Sequence, residues 1–185
     1  MKLKQFTMLL ITIVIMYISN GFAEDIPVHF TGLKATNNWS VYVGTVRVNS
    51  LLAVDHEDEI AAFVEGNDGS DIMVGTCVYG DNNAGYFYLN VYADDVSTKG
   101  IKDGANEKDT LFFKIWDSSQ NLEYVLHANN IKLVPEEGLV IPDDDLAFHT
   151  DNTFGLLQLS IIDIVQDGVV DLKDVIMLMK QLASH

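Results

Sequence analysis

Cysteine is almost absent from this chain, and positive charge is scarce. Among 185 residues there is one Cys, and 11 Lys+Arg stand against 27 Asp+Glu, for a formal net charge of −16. A lone thiol, Cys77, excludes an internal disulfide framework and any cysteine-rich zinc site. So few cations exclude a nucleic-acid binder, because phosphate requires a basic face. Beyond the first twenty or so residues no apolar run is long enough to span a bilayer, which takes about 20 residues. Catalytic signatures are missing as well: there is no GxSxG, no HExxH and no Cys/His pairing, and the five His are scattered. The sequence therefore reads as non-catalytic. A glycoside hydrolase is the less favoured alternative, since two carboxylates are all that chemistry demands and carboxylates are abundant.

What is present starts with a leader. Residues 1–23 read MKLKQFTMLLITIVIMYISNGFA, with Lys2 and Lys4 ahead of an uncharged apolar run from Met8 to Ile18. Gly21-Phe22-Ala23 supplies the small residues of a cleavage site. This pattern predicts a secretory signal peptide cut after Ala23, and so a secreted or cell-surface protein. An uncleaved anchor is the rival reading, but the run is short for a span. In oxidising surroundings Cys77 still has no partner. Its place in the alternating stretch MVGTCVY predicts a buried strand residue.

From 26 to 159 strand signals recur with turn punctuation between them. Trp39 to Val48 alternates, with Trp39, Val41, Val43 and Thr45 on one side and Tyr42, Val46 and Val48 on the other. Residues 59–65 and 71–79 flank the turn composition Gly66 to Asp71 and predict a hairpin. Further strands are expected at 85–92, 111–116 and 122–126, and shorter ones at 27–32, 131–134 and 155–161. No helical period appears before residue 170. These features predict a mainly β fold, an antiparallel β-sandwich. The polar stretch 94–109 is long for a hairpin loop.

Three stretches, HEDEIAAFV (56–64), MVGTCVY (73–79) and LNVYADDVSTKGIKDGANEKDTLFFKIWD (89–117), resemble a recurring β-sandwich module of secreted bacterial proteins. The resemblance implies the sandwich and secretion, and says little about chemistry.

The sharpest motif lies at 160–185. Asp163, Asp167, Asp171 and Asp174 fall at positions 1, 5, 9 and 12 of an EF-hand-like loop, with Gly168 at position 6, where the chain turns sharply. Val169 at position 7 would contribute its carbonyl. Hard oxygen ligands at this spacing suit Ca²⁺. Leu172, Val175, Ile176, Met179 and Leu182 then line one face of a predicted amphipathic helix. The segment resembles one half of a type I dockerin repeat, DxNxDGxVxxxD followed by a helix. That resemblance implies calcium binding and assembly with an extracellular protein partner. Val165 departs from the pattern at position 3, and no second repeat is found.

Other candidates are weaker. Asp94 and Asp95, at a strand end beside the 94–109 loop, form a possible second cation site. Trp39, Tyr88 and Trp116 are possible stacking rings for a polysaccharide, if they lie on an exposed sheet face. This supports an alternative reading as a carbohydrate-binding accessory module.

Overall fold

The computed structural model describes residues 25–82, 84–126, 131–133, 146–148, 155–161, 163, 169 and 172–183. The leader, Asp167 and Asp171 lie outside the described residues. In chain order the elements are β1 (Trp39–Val48), β2 (Leu51–Leu52), β3 (Glu59–Glu65), β4 (Asp71–Val78), β5 (Phe87–Tyr92), β6 (Phe112–Asp117), β7 (Leu122–Leu126), β8 (Ile131–Leu133), β9 (Gly155–Ile161) and α1 (Leu172–Ala183).

The strands follow from alternation of β-branched and aromatic residues. Along β1, Tyr42, Val46 and Val48 are buried while Trp39, Val41, Val43 and Thr45 face outward, as the sequence predicts. β1 and β2 meet at a two-residue turn, Asn49 and Ser50, both with positive φ (52° and 72°). That backbone matches the twist of a tight hairpin.

Two sheets result, and the protein is mainly β. In the first, β9 lies on one side of β1 and pairs with β8, while β5 and β2 share the other side of β1. The second has the order β4-β3-β6-β7 and is antiparallel throughout, including the expected 59–79 hairpin. Antiparallel pairing holds everywhere except between β1 and β9, which run parallel. Val46, Ile60, Phe87, Leu89, Phe113, Ile115 and Leu157 fill the space between the sheets. Burying each such side chain contributes roughly 1.5–3 kcal/mol.

β3 is covered on both faces. Ile60, Ala62 and Val64 enter the main core, while Ala61 and Phe63 pack under Phe30 in a second, smaller core. The strand expected at 27–32 is not formed. Its amides go to one buried side chain: the Glu59 carboxylate accepts the N–H groups of Val28 (2.7 Å), His29 (2.9 and 3.1 Å) and Phe30 (2.9 Å). With those donors taken, the segment lies over the second sheet as an irregular strap. His29 closes the strap by stacking flat on Trp116, with ring centroids 3.9 Å apart.

Along one seam the two sheets touch without pairing. Gly75 of β4 sits so close to the Asn90 carbonyl of β5 that a Cβ there would collide with it.

Candidate metal centre and sheet groove

β9 delivers the chain to Asp163 at the end of the sandwich. Asn49, in the β1–β2 turn, clamps the Asp163 backbone from both sides. Its amide donates to the Asp163 carbonyl (2.7 Å) and its side-chain oxygen accepts the Asp163 N–H (2.8 Å). Asp163 is fully buried there. After the loop, α1 begins at Leu172, and Asp174 in its first turn is buried although Lys173 and Val175 beside it are exposed. An acid in the first turn also suits the positive end of the helix dipole.

Tyr124 of β7 feels the charge of both acids. The ring projects from β7 into the core, and its hydroxyl is enclosed with no hydrogen bond of good geometry among the described residues. Its pKa is pushed up to about 12, foremost by burial, then by the negative charges of Asp163, Asp117 and Asp174. Asp117 has its own task in the β6–β7 turn, accepting from Ser119, the Gln120 N–H and the Gln120 side chain. Thus the acids at loop positions 1 and 12 both act on one buried phenol. Val169 lies on the loop with its side chain exposed. Neither Asn49 nor Tyr124 stands out in the sequence. The only local signal for Asn49 is an Asn-Ser pair between two apolar runs.

Asp94 and Asp95 are organised differently. The Asp94 carboxylate accepts the N–H groups of Asp103 (2.7 Å) and Gly104 (3.2 Å), and that of Asp95 accepts the Ser97 N–H (2.8 Å). The bond to Ser97 lowers the Asp95 pKa. Both carboxylates thus close the 94–109 loop on itself, and among the described residues they do not join a third acid as a cation site.

The three candidate rings do not share a face. Trp116 belongs to the second sheet and is covered by His29, so it is a packing residue. Trp39 and Tyr88 both lie on the outer face of the first sheet and remain 43% and 41% exposed. The sequence cannot separate these cases, because a covered ring and an open ring show the same alternation.

Beside Tyr88 a groove of about 950 Å³ runs along the seam, lined by Val41, Thr76, Asp81, Tyr88, Asn90 and Tyr92. Cys77 lies in its wall. It is free, and half-buried rather than fully buried as the alternation suggested. Burial, with the nearby charge of Asp81, raises its pKa and keeps the thiol protonated. A protonated thiol is a poor nucleophile.

At one end of the groove, ligand atoms of Asp25, His56 and Asp81 lie within 4.8 Å of one another, a donor set that an N/O-liganded divalent ion could use. His56 meets Asp25 at 2.5 Å, and the Asp25 N–H donates to Asp81 at 3.0 Å. The bond to Asp25 raises the His56 pKa, aided by the charges of Asp25, Asp55 and Asp81. We expect NMR titration to place His56 above 6.5, and Asp25→Asn to bring it back toward that value. The sign is fixed by linkage: a raised folded pKa adds stability below the unfolded value and loses it as pH rises through the folded one. A value at or below 6.5 in the parent protein would refute the pairing.

No protein-family model matches this chain, and no curated protein matches it. Among solved structures it is similar to a 9R-lipoxygenase from Cyanothece, with 13% identity over 52% of this chain and 14% of that one. The TM-score is 0.31, too low to carry an argument. The chain therefore spans about a seventh of that enzyme. Among the described residues no helix is long and apolar enough to cross a membrane.

Proposed function

We propose that this chain is a secreted, non-catalytic calcium-binding module that docks an extracellular protein through its C-terminal helix. The observation that carries the reading is the burial of both Asp163 and Asp174, first and last in the loop, in a chain where most of the described acids are not buried. Carboxylates brought to one loop site repel one another, and a dication removes the repulsion. Asp167, Asp171 and the Val169 carbonyl complete the ligand set in this reading.

The helix supports the docking half. Leu172, Val175, Ile176, Met179 and Leu182 are all exposed on α1, although they form an apolar face. Such a row of anchors suits an apolar groove on a partner. Lys180 stands in the last turn of α1, while the one acid of the helix, Asp174, is buried.

Calcium titration followed by amide exchange tests this. With Val165 in place of an oxygen ligand, affinity should fall at the weak extracellular end, on the order of 10⁻⁴ M. About 1 mM Ca²⁺ should then stabilise the loop and helix by roughly 1.4 kcal/mol. Exchange across 163–180 should slow on adding Ca²⁺, and Asp174→Ala should abolish the slowing. Exchange that is already slow in chelator and indifferent to Ca²⁺ would mean that packing alone holds the loop.

A further inference from the structure

The outer face of the first sheet breaks the usual rule for a half-buried strand. Residues that point outward from an alternating strand are normally polar. Here Tyr86, Tyr88, Asn90 and Tyr92 occupy successive outward positions on and just before β5, and Trp39 of β1 lies across from Tyr92 with ring centroids 6.3 Å apart. Tyr86, Tyr88 and Trp39 are each about two-fifths exposed. Contiguous exposed rings of this kind mark a binding surface.

The groove gives that surface a shape. Tyr88 and Tyr92 sit four residues apart on one strand, about 13 Å, which fits an oligomer better than a single small molecule. Its volume of about 950 Å³ lies at the upper end for a ligand cleft. Between the rings stands Asn90, and Asp81 and Asn82 line the end of the groove. Rings with amide and carboxylate groups between them match sugars, whose C–H faces are apolar and whose edges carry hydroxyls. An extended peptide is disfavoured at the middle of the groove, where Gly75 of β4 lies against the Asn90 carbonyl of β5. Charge narrows the choice further. Asp25 and Asp81 face the groove in a chain of net charge −16, which repels acidic polysaccharides.

We propose that the groove between β4 and β5 binds a neutral glycan chain, with Tyr88 and Tyr92 stacking on sugar rings and Asn90, Asn82 and Asp81 hydrogen-bonding their hydroxyls. This site is separate from the calcium loop and does not rest on it.

Isothermal titration of the purified chain with cellohexaose, xylohexaose and mannohexaose tests the proposal, with polygalacturonate as the anionic control. At least one neutral hexamer should bind, and polygalacturonate should not. Tyr88→Ala and Tyr92→Ala should each weaken binding at least tenfold, and Asn90→Ala several-fold. Tyr88 points outward and is not part of the core, so its variant should keep a melting temperature close to the parent's. Asp174→Ala should leave glycan binding unchanged, so that loss of the calcium reading and loss of this one are told apart. The proposal is overturned if no neutral hexamer binds, if binding survives Tyr88→Ala and Tyr92→Ala intact, or if polygalacturonate binds as well as the neutral chains. Displacement of the bound hexamer by an unstructured peptide would reassign the groove to protein recognition.

Discussion

Gly44→Val should lower the thermal midpoint by on the order of 10 °C or prevent folding altogether. Gly44 lies in the middle of β1, opposite Phe87 on one side and Leu157 on the other. A Cβ there would collide with the Leu157 carbonyl and lie 2.7 and 2.8 Å from ring atoms of Phe87. The Leu157 carbonyl is backbone in a central sheet and cannot step aside. Phe87 is fully buried and has nowhere to rotate. Overpacking a closed core costs about 1–3 kcal/mol, and displacing a strand adds to it. For a domain of this size each kcal/mol moves the midpoint by about 2–4 °C. Gly44→Ala should show a smaller drop in the same direction, although alanine is otherwise the better strand residue by about 0.5–1 kcal/mol. Differential scanning calorimetry of both variants checks the order. An unchanged midpoint in the valine variant would mean that β1 and β9 are not held at this spacing.

That contact shows why part of the fold is readable in sequence and part is not. Alternation in Trp39–Val48 and the Gly66–Asp71 turn are local, so β1 and the β3–β4 hairpin can be read from neighbouring residues. The period of α1 is equally local, and its bounds follow from it. The parallel pairing of β1 with β9 joins segments with most of the domain between them, and nothing near either strand specifies it. Residues 27–32 have strand-like composition. What decides their shape is the Glu59 carboxylate, about thirty residues away, which takes the amides that a ladder would have used.

The candidate sites divide along the same line. Acid spacing in 163–174 is a local pattern, whereas the clamp by Asn49 and the approach to Tyr124 depend on the closed sandwich. Asp94 and Asp95 look like cation ligands in sequence because composition does not say that loop amides are their partners. Trp116 looks like a stacking ring because His29, which covers it, arrives from the strap.

The strap also links Glu59 to the groove. Glu59→Ala should free the strap and destabilise the protein by about 3–5 kcal/mol. Hydrogen bonds to a charged group contribute roughly 1.5–3 kcal/mol each, less when they share one acceptor group. Glu59 is 2% exposed, so in the variant the amides of Val28, His29 and Phe30 lose their partners at a site that water enters only if the strap lifts. Lifting uncovers Ala61 and Phe63 and unstacks His29 from Trp116. Glu59→Gln keeps one carbonyl oxygen and should lie between parent and alanine. Amide exchange separates strap release from global unfolding: Val28 to Phe30 should exchange far faster in Glu59→Ala while β6 and β7 stay protected. Because Asp25 rides on the same strap and bonds His56, the His56 pKa should fall back toward 6.5 in that variant. Sugar binding should weaken as well if the groove is as proposed, since Asp25 and Pro27 of the strap line it. Protected amides at 28–30 together with an unmoved His56 titration would show that packing of Phe30, and not the Glu59 carboxylate, holds the strap in place.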